Sequence, residues 1–414
     1  MNYTRRREKL AERLEPYSLF LAYSGKAPYR IGDELYPFET NRDFYYLTGI
    51  KEPNLVYLLF KDADGYEEEL FTERFDPVMA KWVGGKIQAK EASKISGIDG
   101  GSILYLDQLE DEIGSYLNRY AAKNISLKPC LRREEVGQDD DWLTKEVRRL
   151  QRHYPSLKVY NASGMITEMR LVKDAEEIKE LRRGIHVTNE ALKLMWTNLK
   201  PGMNESEAEA WFDFTLKKER MGHSFESIFG SGKNGTTLHY SENNCVMKDG
   251  TLLLTDLGAS SNYYCADISR TVPVNGKFTK RQREIYETVL ACNRHIIDYA
   301  RNGMTLRDLH LESVKFYEKA LPKIGLCKKG KTVHDYYFHS VGHMLGLETH
   351  DVSIPGYAIR NGNVFTVEPG LYVEEEGIGV RIEDNIVMKN GRAEVLSAEI
   401  MKDPDEIEAF FAKR

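Results

Sequence analysis

Little in this 414-residue sequence is extreme, and its scarcities are the first guide. The five cysteines (Cys130, Cys245, Cys265, Cys292 and Cys327) are odd in number, scattered, and form no CxxC pair. That argues against a zinc knuckle or a disulfide framework and for a reducing compartment, with the cytoplasm as the expectation. No stretch approaches the ~18 apolar residues of a membrane span. The apolar segment 19–23 is short and follows Glu15 and Pro16, so it reads as a first buried strand and not as a signal peptide. Neither sign of charge dominates: 58 basic residues stand against 64 acidic ones, a net charge of −6. No basic block suggests nucleic acid, and no acidic tail is present. The run Arg5, Arg6, Arg7 reads as a solvated helix face. What remains is an ordinary globular composition, 41% hydrophobic and 29% charged, and a length that favours two domains.

The first domain is expected over 1–157 and the second over 158–414. In the first, strands are predicted over 54–60, 69–72 and 103–106, and helices over 5–15, 75–83 and 140–153; this alternation implies an α/β domain. Beyond the loop-like 161–164 a long helix begins near Asp174, with Ile178, Leu181, Ile185 and Leu192 at helical spacing. A second helix is capped near Asn204. The second half repeats itself faintly. Residues 200–207 (KPGMNESE) resemble 301–308 (RNGMTLRD), each between two helical patterns. Residues 250–258 (GTLLLTDLG) resemble 362–370 (GNVFTVEPG), each with an acid six residues after one glycine and two before another. His239 and His350 precede these two units by eleven and twelve residues. A helix–helix–strand unit used twice, related by a pseudo-twofold, brings Asp256 and Glu368 together.

Five potential ligands lie in order along this half: Asp256 in LLLTDLG, Asp267 in ADISRT, His343 in HSVGHMLG, Glu368 in TVEPGLY and Glu383 in VRIEDN. Four carboxylates and one imidazole are hard donors, suited to two divalent cations held close together better than to one structural zinc. Such a pair sharing a hydroxide is a hydrolytic centre. Each residue also has a plainer reading. Asp256 is a strand-end or capping acid, Asp267 a turn acid or partner of Arg270, and Glu383 half of a surface pair with Arg381. His339, His343 and His350 taken singly are more often structural, yet three of the ten histidines fall within twelve residues. The spacing His339…His343 lacks the glutamate of HExxH, and Gly342 and Val341 speak against a regular helix. Residues 230–236 (GSGKNGT) mimic a phosphate loop but lack its first glycine and the hydroxyl after the lysine. Ser224, Ser227 and Ser231 lack the GxSxG context of a serine nucleophile.

With these motifs assembled, the chain resembles the aminopeptidase P and prolidase family of Xaa-Pro metallopeptidases. LHYSEN, TDLGA, ADISRT, GHMLGLETHD, TVEPGLY and RIEDN fall in family order, and 41–49 (NRDFYYLTG) and 70–77 (LFTERFDP) are similar to the aminopeptidase P N-terminal domain. The resemblance implies an N-terminal α/β domain of the creatinase/prolidase type and a pita-bread α+β catalytic domain. It also implies two divalent metals, commonly manganese, with cobalt and zinc as alternatives. Carried over, Asp256, Asp267 and Glu383 would hold one metal; Asp267, His343, Glu368 and Glu383 would hold the other. Glu368 would shuttle a proton, His350 would bond the scissile carbonyl, and His239 would close over the substrate. His339 and Arg381 would orient the ligands and balance charge. The implied substrates are short peptides with proline second, the implied state a homodimer or homotetramer, and no nucleic acid or membrane is involved. An Xaa-Pro dipeptidase shares all five ligands, as does a methionine aminopeptidase, which usually lacks such an N-terminal domain. A non-catalytic relative would have lost ligands, and none is lost here. Met344, Glu348 and Thr349 depart from the usual pattern without removing a ligand.

Overall fold

Residues 1–132, 139–328 and 330–414 are described by a computed structural model, and they fall into two units, Met1–Arg170 and Leu171–Arg414. The first is built on a six-stranded mixed sheet in the order Ile103–Tyr105, Tyr66–Thr72, Val56–Lys61, Ser18–Tyr23, Ser126–Pro129, Lys158–Val159. Ser18–Tyr23 is antiparallel to Val56–Lys61 and parallel to Ser126–Pro129, and all its residues are buried. A strand covered on both faces needs no polar alternation, which is why it reads as an unbroken apolar run. Leu19, Leu21, Leu58 and Phe60 share a core with Ile113 of helix Leu109–Arg119 and with Val147 and Leu150 of helix Trp142–His153. Phe20 and Tyr57, on the opposite face of the pleat, approach each other with ring centroids 6.2 Å apart.

Two expectations for this unit fail. Of the three consecutive arginines only Arg5 is exposed. Arg7 is buried, donating to Glu68 at 2.7 Å and to the carbonyls of Leu47 and Ser96, while Arg6 lies over the Tyr46 ring. A guanidinium can be buried there because its fork of donors meets several fixed acceptors at once. The helix expected over 75–83 shortens to Ala80–Val83. The Asp76 carboxylate accepts from the amides of Val78 and Met79, a local turn that competes with helix at these positions. At the other end the unit runs on to Arg170. Arg170 donates to Asp43 at 2.7 Å with both side chains buried, and the Tyr46 hydroxyl bonds the Met169 carbonyl.

The second unit shows its repeat directly. Helix Ala175–Asn198 is followed by Glu205–Glu219, and helix Lys280–Tyr299 by Leu306–Ala320. Each of the four starts with a reciprocal cap, at Asp174/Glu177, Asn204/Glu207, Thr279/Gln282 and Thr305/Asp308. The turns inside the two helix pairs carry Gly202 and Gly303, both at φ +90°. After each pair comes a strand, a hairpin and a returning strand. In the first copy these are Leu252–Leu257, Ala259–Ser261 with Tyr264–Cys265, and Ile268–Pro273. In the second they are Val364–Val367, Gly370–Val373 with Ile378–Arg381, and Asp384–Lys389. The halves join where Thr271 and Arg381 meet: the Arg381 amide donates to the Thr271 hydroxyl, which donates to the Arg381 carbonyl, both at 3.2 Å.

Candidate metal centre

The repeat positions the acids. In the first copy Asp256 is the penultimate residue of its strand and Asp267 directly precedes the returning strand. In the second, Glu368 directly follows its strand and Glu383 directly precedes the return. Antiparallel pairing sets Asp256 opposite Ser269 and Val367 opposite Asp384, so all four acids cluster at strand ends of one unit. The segment around His343 is extended, not helical. It runs beside Val364–Val367, with Thr366 N bonding the His343 carbonyl and Glu368 N the Val341 carbonyl, both at 2.9 Å. Gly342 is required there, because a Cβ would overlap the Thr366 carbonyl. Gly258, two residues after Asp256, is required in the same way against the carbonyl of Ala266.

Ligand atoms of Asp267, His343 and Glu383 all lie within 4.8 Å of one another. His343 Nε2 is 3.2 Å from Asp267 and 3.6 Å from Glu368. Its Nδ1 is 3.0 Å from the Met344 carbonyl, a contact that places the ring proton on Nδ1 and leaves the Nε2 lone pair facing the carboxylates. Asp256 is held from the side by Arg381, at 2.7 Å. Arg381 is buried; it also donates to Ser269 Oγ at 2.7 Å and to the Tyr372 hydroxyl at 2.9 Å. Ser269 passes the link on, donating to Glu383 at 2.9 Å. The plainer readings, pairs Arg381–Glu383 and Asp267–Arg270, give way to other partners. Arg381 takes Asp256, and Arg270 takes Asp384 at 2.9 Å.

His339 bonds the Tyr372 hydroxyl through Nε2 at 2.9 Å and the Ser340 carbonyl through Nδ1 at 2.8 Å. Burial, then the Arg381 charge, bring its pKa down to about 4, so the ring is neutral and accepts from Tyr372. His350 stands exposed with its ring centroid 4.2 Å from that of His343. Partial burial, then His343 and His239, lower its pKa. His239 is exposed on the loop before Leu252–Leu257.

The electrostatics are those of a site short of positive charge. Burial pushes Asp267 and Glu383 well above the usual carboxylate range. Asp256 and Glu368 push Asp267 further, and Asp267 and Glu368 do the same to Glu383. Burial raises Glu368 as well, against the pull of His343 and Arg381. Asp256 Oδ1 and Glu383 Oε1 are buried and accept no hydrogen bond. Four crowded carboxylates facing one guanidinium, with two orphaned oxygens, fit divalent cations by charge and by donor type.

The remaining polar partners, Ser269, Tyr372 and Asn385, were not singled out by sequence, although each lies inside one of the motif strings. Asn385 accepts from the Asp267 amide at 3.1 Å and donates to its carbonyl at 2.5 Å, holding that acid's backbone like a short rung of sheet. The mock phosphate loop is a 3-10 turn, Gly232–Thr236, whose Gly235 carbonyl lies where a Cβ on Gly379 would stand.

The sequence profile of metallopeptidase family M24 matches residues 179–390, the interval that carries all five candidate ligands. The chain belongs to metallopeptidase family M24. In this M24 chain residues 3–125 also match the aminopeptidase P N-terminal domain. The chain is 33% identical to the Xaa-Pro aminopeptidase of Escherichia coli, over 98% of this chain and 96% of that protein. It is 31% identical to intermediate cleaving peptidase 55 of Schizosaccharomyces pombe, over 98% and 86%. The solved structure of E. coli aminopeptidase P with the inhibitor Pro-Leu superposes with a TM-score of 0.90 at 32% identity, covering 100% of this chain and 98% of that one. The fold is therefore the expected pair of an aminopeptidase P N-terminal domain and an M24 pita-bread domain.

Proposed function

We propose that this M24 chain is an Xaa-Pro aminopeptidase, releasing the first residue of peptides whose second residue is proline. The convergence of Asp267, His343 and Glu383 beside Glu368 carries the reading, together with full-length similarity to an Xaa-Pro aminopeptidase. Asp256, Asp267 and Glu383 would hold one divalent cation, and Asp267, His343, Glu368 and Glu383 a second, manganese being the ion proposed. When bound, the pair supplies Lewis acidity at the scissile carbonyl.

The chain's own groups do the rest. Glu368 accepts a proton from the attacking water and delivers it to the proline nitrogen as the C–N bond breaks. That delivery matters because the leaving group is a secondary amine whose amide carried no N–H. His350 donates to the carbonyl oxygen as it gains charge, and His239 closes over the peptide. Arg381 keeps Asp256 oriented, and neutral His339 braces Tyr372. A Pro-Leu inhibitor on the E. coli enzyme supports substrates that continue beyond proline.

We place the protein in the cytoplasm as a homodimer or homotetramer. The scattered free cysteines favour the former, and the exposed Trp82 and Val83 favour self-association. The test is a panel of Xaa-Pro dipeptides, Xaa-Pro-Xaa tripeptides and non-proline controls on manganese-loaded protein, with light scattering for the oligomer. Release of the first residue from the tripeptide is expected. Cleavage of dipeptides alone would make the protein a prolidase, and no cleavage at all would overturn the reading.

A further inference from the structure

Asn293 in helix Lys280–Tyr299 is fully buried behind the carboxylates. Its side-chain NH₂ donates to two backbone carbonyls, Val367 at 3.1 Å and Ile382 at 3.3 Å. These residues immediately precede Glu368 and Glu383. Its Oδ1 accepts from Lys402 Nζ at 2.9 Å, and the same ammonium reaches Asp384, the residue after Glu383, at 2.5 Å. Arg270 completes the support by donating to the Glu383 carbonyl at 2.6 Å.

The first strand pair runs as far as Val367 opposite Asp384. The pairing is interrupted at Glu368 and Glu383 and resumes where Ile382 N bonds the Pro369 carbonyl at 3.3 Å and Gly370 stands opposite Arg381. Val367 and Ile382, which flank this break, are fully buried, where backbone acceptors left unpaired are costly. A primary amide offers two N–H donors from one nitrogen, so a single side chain can tie both strands at the break. Nothing about the helix itself requires a buried amide at this position; its apolar neighbours Val289, Cys292 and Ile296 supply the packing.

We propose that Asn293 is a positioning residue for the metal centre: by tying the backbones that lead into Glu368 and Glu383, it sets the spacing of these two carboxylates. The proposal rests on the two-cation reading of the site. Groups that orient metal ligands from behind typically matter about 10- to 100-fold in metal affinity.

The test is manganese binding to chelator-stripped protein, followed by calorimetry and by metal content per chain, for the parent and Asn293→Leu. Leucine keeps the volume and removes both donors. Retention of two ions, with at least one bound about 10- to 100-fold more weakly, is expected. Activity on a proline-second tripeptide should recover at high manganese with KM unchanged. Affinity within about twofold of the parent, whatever happens to the melting temperature, would overturn the positioning role, since a purely structural residue moves stability and not ligand spacing. If Asn293→Leu does not fold, Lys402→Met frees the amide from its other side, and the same binding measurement decides. A parent that takes up no manganese would instead overturn the metal reading beneath the proposal.

Discussion

Both units bury carboxylates beside arginine, and they do so to opposite ends. In the first, Asp43 accepts from Arg170 at 2.7 Å, from Arg132 at 2.9 and 3.2 Å, and from the Cys130 thiol at 3.3 Å. One acid is matched by two cations. In the second, four acids crowd together, the one buried arginine among them pairs with Asp256 alone, and two of their buried oxygens find no donor. The first arrangement closes on itself and ties distant segments together. The second is incomplete as protein alone, and that incompleteness is what fits it to divalent cations.

Four changes would set the two arrangements apart. The largest effect is expected from Glu368→Gln, which keeps the shape and removes the proton carrier: turnover of a proline-second tripeptide should fall by about 10²- to 10⁴-fold with the melting curve retained. Turnover near the parent's would sink the proton-transfer role. Next, Asp43→Ala removes the carboxylate that pairs buried Arg170 and half-buried Arg132, and should cost about 3–5 kcal/mol, read from hydrogen exchange of the amides in Ser18–Tyr23, with metal content unchanged. Third, removing the cations should lower stability by about 2.7 kcal/mol relative to protein held at a metal concentration 100 times its Kd. In chelator Asp267→Asn should then melt above the parent, because one of the crowded charges is gone; a lower melting temperature would contradict the charge-deficit picture.

The smallest effect belongs to an exception within the first unit. Burial, then Glu112, raise the pKa of Glu69 to about 7, and its Oε2 is buried without a partner. A carboxyl whose folded pKa exceeds its unfolded value of 4.5 favours the fold when protonated. Its contribution is therefore present below pH 4.5 and lost as pH rises through about 7. Glu69→Gln should raise the melting temperature slightly at pH 8 and leave it unchanged at pH 4. Equal shifts at both pH values would show that Glu69 is not the titrating group.

Much of this was legible in the sequence because the signals were local. The capped helix starts at Asp174 and Asn204, the twin Gly-Met turns and the matching glycine–acid strands each lie within nine residues of chain. The five candidate ligands stood out because an acid following a run such as Leu252, Leu253, Leu254 has no ordinary reason to be buried. What escaped was long-range. Arg7 looks solvated until Leu47 and Ser96 supply acceptors 40 and 89 residues away. Ser269 matters only because Arg381 arrives 112 residues later, and Asn293 only because two strand ends meet above it. The helix expected over 75–83 shortened to Ala80–Val83 for a local reason, an aspartate competing for its own backbone.

Gly342 and Gly258 have a consequence for how such a site can diversify. Each lets backbone touch backbone beside a candidate ligand, at Thr366 and Ala266, where no side chain fits. Backbone packed on backbone has no rotamers to exchange, so point substitution has little to reshape at these two contacts. The exposed His239, His350 and Phe338 carry no such restriction and can vary without disturbing them.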